Sequence, residues 1–401
     1  MEEKERATLK QTIMQSLSAE IDKWLDQQQT ITSGYEYETE FMRVAQRVNK
    51  IILEKVWGSS PGAVMIKKIH TCFGKITISK RHVLCEHTKC FDISTKLQEL
   101  LCLLVQGYAF EQAQELLHQF LGISISAKQI QRLSEHYGEQ LEQQIQQQAA
   151  GKMAAPVLSL KNKQELVYIM LEGSMVFTRK AWKEIKAARL FKASSQVQVQ
   201  VHRKQIMQSL YVCHVGGHRK FLEKLEAYSE PYPCKVFTCD GAKWICNWVE
   251  DCYPEAVQIL DLYDALEKLG VYAGFQYSDE KQRSQWMETQ KQHLLERKVE
   301  ELIAELKDAK PLSKQARKAR ADVVRYYQSS SKRMHYHLYL QAGYMIGSGA
   351  IEAAHRNVVQ QRLKPCGQRW SQEGAQQIVN LSACKKSNQW NTVVELIKTA
   401  A

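Results

Sequence analysis

The chain contains two short apolar segments that each end at a carboxylate followed by glycine, and this feature constrains its fold more than any other. The first, Leu166–Leu171, is β-prone and is followed by Glu172 and Gly173. The second, Lys235–Cys239, ends at Asp240 and leads into a segment with helical spacing. Strands that alternate with helices in this way predict an α/β fold, in which a mixed sheet carries helices on its faces.

A third acidic residue, Glu352, lies on a basic, amide-rich helical segment near the C-terminus. Its bulky neighbours Ile351, Val358 and Val359 recur at helical spacing, whereas Glu352 and His355 point away from that face. One face of this helix is therefore predicted to be packed and the other to be polar.

Taken singly, each of the three acids is explained by a turn, a helix cap or a solvated surface. Brought together at one sheet edge, they form the arrangement that holds two divalent cations about 3.5–4 Å apart for in-line attack on a phosphodiester bond. Mg²⁺ prefers such oxygen ligands. Glu172, Asp240 and Glu352 are therefore a candidate catalytic and metal-binding set.

Further elements are predicted around these acids. Two strands are expected within 196–217, a helix around Phe221–Tyr228, and an apolar strand near Val257–Leu260. From about 271 to 340 the chain is highly charged, with opposite charges three and four residues apart. That spacing predicts solvated helices inserted between the second and third acids.

The segment 65–90 alternates like a β-hairpin that turns at Phe73 and Gly74. Cys85 and Cys90, with histidines nearby, supply only half of the spacing of a zinc knuckle. Thiols beside a hairpin are the alternative, and we assign no metal there.

Residues 108–138 have the pattern of two helices separated by a break at Gly122, with Ser126 as the N-cap of the second helix. This is a helix-turn-helix pattern, in which the second helix enters the major groove of DNA. The alternative is a helical hairpin that binds nothing. The candidate DNA contacts on the second helix are Lys128, Gln129, Gln131 and Arg132.

A glutamine-rich run at 141–156 predicts a helix that fades into a linker ending at Pro156. We therefore predict three parts: a helical N-terminal segment at 1–60, a hairpin plus helix-turn-helix-like DNA-binding region at 61–156, and a mixed-sheet domain at 157–401. The helical insertion at about 271–340 belongs to the third part.

Composition agrees with a nucleic-acid partner. The net charge of +12 favours a polyanion and salt-dependent binding. No run of roughly 18 apolar residues and no leader-like start is present, so we expect no membrane span and a cytoplasmic, nucleoid-associated location. The 11 scattered cysteines are typical of reduced thiols rather than of a disulfide framework.

Three blocks of the chain, 171–191, 239–269 and 348–381, resemble the catalytic domain of DDE-type transposases of bacterial insertion sequences. The resemblance is specifically to the ISKra-type family, which is related to Mutator-like elements. It extends from about residue 60 to the end, weakly in the N-terminal quarter, and its last block is long and highly specific. It implies an RNase H-like mixed sheet with a helical insertion, and it places the three catalytic acids at Glu172, Asp240 and Glu352.

The resemblance also implies an activity and its partners. The activity is metal-dependent cleavage and transfer of DNA strands, with Mg²⁺ or Mn²⁺ as cofactor. The partners are double-stranded DNA, both as terminal repeats and as target, and further copies of the chain assembled on it. Around the third acid, Arg356 and Arg362 are candidate DNA contacts. Arg369 is a candidate for phosphate contact and Trp370 for base stacking, with a core position as the alternative for Trp370.

Two positions depart from the family pattern. Glu172 stands where family members have Asp, and one extra methylene moves a carboxylate by roughly 1.5 Å. Metal–ligand distances are held within about 0.2 Å, so this change bears on activity. Asp264 stands where His is usual, while Asp261 is kept. The alternatives are therefore a catalytically impaired remnant that acts only as a DNA-binding protein, and an RNase H-like nuclease that cuts without joining.

Overall fold

The computed structural model describes residues 3–27, 31, 33–57, 66–80, 83–85, 91–200, 203–296 and 298–399. The chain divides into two compact units. Unit 1 comprises Met1–Gln143, Gln377–Ser382 and Gln389–Ala401. Unit 2 comprises Gln144–Gln376 and Ala383–Asn388. Among the described residues, every helix is too short or too polar to cross a membrane.

Unit 1 begins with a mainly helical region that includes one β-hairpin, as predicted. Its elements are α1 (Glu3–Gln27), α2 (Gly34–Trp57), β1 (Ile66–Thr71), β2 (Gly74–Ser79), α3 (Thr95–Leu104), α4 (Phe110–Leu121) and α5 (Ala127–Ala149), whose last residues belong to unit 2. Thr71 pairs with Gly74, which confirms the predicted hairpin turn. Gly122 ends α4 in the left-handed conformation, with φ 63°, as its position between two helices requires.

Unit 2 contains the mixed sheet. Its elements are β3 (Val167–Phe177), β4 (Trp182–Lys192), β5 (Gln196–Gln200), β6 (Arg203–Ile206), β7 (Leu210–Val215), α6 (His218–Ser229), β8 (Lys235–Cys239), α7 (Lys243–Cys252), β9 (Val257–Leu260), α8 (Leu262–Gln276), α9 (Glu280–Leu295), α10 (Val299–Asp308), α11 (Lys314–Ser330), α12 (Tyr336–Gln341), α13 (Gly349–Ala354), a π-helical segment (His355–Gln360), α14 (Gln361–Leu363) and α15 (Gln372–Lys386), part of which belongs to unit 1. The last helix, α16 (Trp390–Thr399), belongs to unit 1.

The five strands of the sheet lie in the order β7-β4-β3-β8-β9. β4 pairs antiparallel with both β7 and β3, whereas β3, β8 and β9 run parallel to one another. Apolar side chains from the strands pack with those of α6 and α7 to form a core that includes Ile169, Leu190, Leu225, Phe237 and Trp248. The fold is therefore mixed α/β, and the helices α9, α10 and α11 confirm the predicted helical segment at 271–340.

The prediction of two sheet strands within 196–217 was wrong in part. Only β7 joins the sheet, because β5 and β6 pair with each other as a separate hairpin. The strand that was missed is β4. It carries Lys186 and Arg189, two charged residues of a kind usually found at the surface, yet both are buried. Lys186 donates to Gly216 O at 3.0 Å, and Arg189 Nε donates to Ser209 Oγ at 2.9 Å.

Candidate functional site

Glu172 lies inside a strand and not at its end, which corrects the prediction. β3 continues to Phe177 because it pairs with β4 over its whole length, up to Phe177 opposite Trp182. On the other side, its pairing with β8 stops at Met170 opposite Thr238. Glu172 therefore lies two residues beyond the last pair with β8, where β3 has lost its parallel neighbour.

Asp240 directly follows β8, as predicted. Its Oδ1 accepts a hydrogen bond from Ala242 N at 2.9 Å, and its backbone oxygen accepts one from the Tyr326 hydroxyl at 2.7 Å. Gly241 has φ 80°, and a Cβ there would lie 2.7 Å from Leu260 Cδ1. Tyr326 lies on α11, in the charged insertion, and nothing in the local sequence pattern pointed to it.

Two more carboxylates follow β9, the strand next to β8. Asp261 N donates to Cys239 O at 3.0 Å, and Asp261 Oδ1 caps α8 by accepting from Tyr263 N at 2.6 Å and from Asp264 N at 2.9 Å. Asp261 is 0% exposed, and its Oδ2 has no hydrogen-bond partner among the described residues. Asp264 lies half-buried in the first turn of α8.

Glu352 lies on α13 and is exposed, where its Oε1 accepts from Ser348 Oγ at 3.1 Å. A buried side chain of the sheet holds α13 in place, because Arg189 Nη1 donates to Ala350 O at 2.8 Å. The third acid is therefore positioned through β4, the strand that the sequence interpretation missed.

His355 connects the same segment to β3. Its Nε2 lies 3.1 Å from Glu172 O, and its Nδ1 lies 3.2 Å from Ser174 Oγ. The side chain is buried, and burial lowers its pKa. The prediction that His355 points to the polar face was wrong, because its side chain contacts β3. His355 begins a π-helical segment, His355–Gln360, whose turns differ from those of the α-helix that the prediction assumed.

The acids act on one another electrostatically. Burial, followed by the charges of Glu352, Asp264 and Asp240, raises the pKa of Glu172 to about 7. Burial, followed by the charges of Asp261 and Asp240, raises the pKa of Asp264 to about 7. Glu172, Asp240 and Glu352 therefore share one neighbourhood in unit 2, and Asp264 shares it with them.

Lys364 brings a positive charge to the same place. Its charge opposes the rise in the pKa of Glu172, and its own pKa is lowered by burial. A lysine beside a group of carboxylates is suited to contact a phosphate that approaches them.

The donor set fits a hard divalent cation, because it consists of carboxylate oxygens and because Glu172 Oε2 is buried without a hydrogen-bond partner among the described residues. In the described part of the chain, no three His, Cys, Asp or Glu side chains already stand as a metal-binding group. Asp240 and Glu352 are exposed, and each accepts the hydrogen bond described above.

The candidate DNA contacts near the third acid separate into two groups. Arg356 and Arg369 are exposed. Arg362 is 1% exposed, and its guanidinium lies 4.6 Å from the ring centre of Trp370, which is itself buried and donates from Nε1 to Leu363 O at 3.2 Å. Arg362 and Trp370 are therefore buried and not on the surface, which corrects their assignment as DNA contacts; Trp370 takes the core position that was the alternative.

In unit 1, the predicted contacts lie at the start of α5. Lys128 and Arg132 are exposed, whereas Gln131 is half-buried and donates to Glu135 Oε1 at 2.8 Å. Ser126 Oγ accepts from Gln129 N at 3.3 Å, which agrees with its predicted place at the helix start. Cys90, His82 and His87, the other members of the possible zinc knuckle, lie outside the described residues.

No protein-family model matches the chain, and a search of curated proteins found no match. The resemblance to the transposases therefore depends on the three sequence blocks alone.

Proposed function

We propose that this chain is a DDE-type transposase with an RNase H-like catalytic domain, acting on double-stranded DNA. The observation that carries the proposal is the shared neighbourhood of Glu172, Asp240 and Glu352, which come from three distant parts of the sequence and raise the pKa of Glu172 together with its burial. The mixed sheet, with three antiparallel strands extended by two parallel ones on the β3 side, supports the RNase H-like fold.

Each side chain has a defined part in the proposed reaction. Glu172, Asp240 and Glu352 hold Mg²⁺ or Mn²⁺ through their carboxylate oxygens. When bound, the cations supply activation of a water or a DNA 3′-hydroxyl and stabilise the leaving oxygen. Lys364 contacts the phosphate beside Glu172, and its positive charge offsets part of the negative charge of the acids. No serine or cysteine nucleophile is needed.

Strand cleavage and joining on the DNA ends that flank the gene test the proposal. The native chain is compared, in Mg²⁺ and in Mn²⁺, with Asp240→Asn and with Asp251→Asn, whose residue is an exposed acid on α7 that contributes no charge to the pKa of Glu172. We expect the native chain and Asp251→Asn to cut and join equally. Asp240→Asn loses at least about 100-fold in rate, because a direct ligand matters more than the outer contacts that typically cost 10–100-fold.

A second candidate is the catalytically impaired remnant. It is favoured by Glu172 standing in place of Asp. The variant Glu172→Asp separates the two candidates. If Glu172→Asp cleaves DNA and the native chain does not, the native chain is the impaired remnant. If neither chain cleaves DNA that it binds, the transposase proposal is overturned. Cleavage without joining identifies the nuclease.

A further inference from the structure

Unit 1 carries two adjoining surface cavities, of about 680 and 330 Å³, whose linings share Phe91, Asp92 and Gln129. Their linings also include basic side chains from two elements, the β1–β2 hairpin and the start of α5. These side chains are Lys67, Lys68, His70, Lys75, Lys80, Lys128 and Arg132. We call this set, with the three shared residues, the basic groove.

The groove contains very little negative charge. Asp92 is the single acidic residue among its described lining residues, and its Oδ1 already pairs with Lys67 Nζ at 2.7 Å. Burial lowers the pKa of His70, and the charge of Lys75 lowers it further while that of Asp92 opposes the change. An anionic ligand is therefore the complement of this surface.

Strand alternation places Lys68 and Lys75 on the outer face of the hairpin, whereas Lys67 lies with Ile69 on the other face. His70 pairs with Lys75 and Lys68 pairs with Thr77, so these residues share the outer face, while Ile69 is buried on the other. The outer face is thus basic on both strands, while the opposite face supplies Ile69, Ile76 and Ile78 to a core.

Hydrogen bonds fix the start of α5 beside the hairpin. Residues 91–94 run along β1, with His70 N donating to Asp92 O at 2.9 Å and Ser94 N donating to His70 O at 2.8 Å. Gln129 Nε2 then donates to Phe91 O at 3.0 Å. The positive end of the dipole of α5, a helix of 23 residues, therefore adds to the positive charge of the lysines.

We propose that the basic groove is a phosphate-binding surface that grips duplex DNA beside the helix-turn-helix. The phosphates of nucleic acids are neutralised by dispersed Lys and Arg of this kind without regard to sequence. Duplex DNA is favoured over duplex RNA because the groove continues onto the N-terminal turn of α5, and the major groove of B-DNA admits a helix whereas that of A-form RNA does not. The choice of DNA also rests on the proposed function, whereas the binding of phosphates by the basic groove does not.

Binding of the full chain to a labelled duplex of about 30 base pairs, without element sequence and in EDTA, tests the groove. The double variant Lys68→Glu/Lys75→Glu is compared with Lys10→Glu/Lys23→Glu, which makes the same charge change at exposed positions of α1. Circular dichroism checks that both variants are folded. The readout is the slope of log K against log salt, to which each phosphate contact contributes about 0.9.

We expect Lys68→Glu/Lys75→Glu to lower the slope by about 2 and the affinity by at least tenfold, more than the α1 variant does. Equal effects of the two variants, or no effect of either, would overturn the proposal that the basic groove binds phosphates. Stronger competition by duplex RNA than by duplex DNA overturns the choice of DNA. Because the assay is run in EDTA, it measures binding without strand cleavage, so a failure of the groove and a failure of the catalytic proposal are distinguishable.

Discussion

At the scale of single residues, the carboxyl groups of Glu172 and Asp264 explain how the site would respond to pH. The pKa of each is raised to about 7 by burial and by neighbouring acids. A carboxyl group with a raised pKa binds its proton more tightly in the folded chain than in the unfolded one. Its contribution to stability is therefore present at low pH and is lost as the pH rises from about 4 to about 7.

A divalent cation should reverse that loss. We predict that Mg²⁺ raises the melting temperature by roughly 2–3 °C at about pH 8, at ten times its Kd, because the deprotonated acids bind the cation. At about pH 5 the effect should be small, because protons compete with the cation. Thermal unfolding of the native chain and of Glu172→Gln measures both. An equal shift at the two pH values, or an unchanged Mg²⁺ response in Glu172→Gln, would contradict the prediction.

The glycine after Asp240 yields a second prediction at this scale. Gly241→Ala should destabilise the chain by more than about 2 kcal/mol, because φ 80° disfavours a side chain and because the new Cβ would meet Leu260 at 2.7 Å. Gly270→Ala, in the middle of α8 with no atom within 4 Å of the added Cβ, should instead stabilise it by roughly 0.5–1 kcal/mol. Urea unfolding gives both values. Similar effects of the two substitutions would show that the turn at Gly241 is not constrained.

At the scale of elements, local patterns predicted some strands well and missed others for a physical reason. The bounds of β8 and β9 follow from short apolar runs, and the structure has them where the sequence predicted them. β4 was missed because Lys186 and Arg189 break its apolar pattern, and their partners lie far along the chain at Gly216 and Ala350. The place of Glu172 within β3 likewise depends on pairing with β4, which period and composition do not encode.

In the candidate site, too, the sequence identified some residues and missed those that depend on contacts between distant elements. The three acids were identifiable because their residue types and order carry the resemblance, and the charge effects on Glu172 involve all of them. Tyr326, at the backbone of Asp240, was not identifiable, and neither was the inward orientation of His355. Both depend on contacts between elements distant in sequence.

The π-helical segment His355–Gln360 leads to the prediction at this scale. His355→Ala removes the contacts with Glu172 O and Ser174 Oγ and leaves a cavity, so it should cost about 1–3 kcal/mol of unfolding free energy. It should also lower strand cleavage, because one link between the π-helical segment and β3 beside the acids would be lost. Asn357→Ala, at an exposed position of the same segment, should change stability by less than about 0.5 kcal/mol. Equal losses in the two variants would mean that the contacts of His355 with β3 do not account for the loss of stability.

At the scale of the whole molecule, the end of the chain belongs to the same unit as its beginning. Gln389–Ala401 falls in unit 1, and within that unit α16 packs against α3, where Trp390 Nε1 donates to Glu99 Oε1 at 3.2 Å. Sequence boundaries drawn at composition changes assign a continuous stretch to each part. A contact between residues nearly 300 positions apart leaves no trace in such local composition.

This arrangement predicts which part of the molecule an altered C-terminus affects. Val393 is 0% exposed, so Val393→Asp places an unpaired carboxylate in the core of unit 1 and should cost roughly 3 kcal/mol or more. Asn391→Asp puts the same charge at an exposed position in the first turn of α16, where a negative charge is tolerated or favourable. Hydrogen exchange followed by mass spectrometry should show lost protection in Thr95–Leu104 for Val393→Asp alone, with Lys235–Cys239 unchanged in both variants. Loss of protection in Lys235–Cys239 as well would mean that the two units unfold as one, and unchanged protection in Thr95–Leu104 would mean that α16 does not stabilise α3.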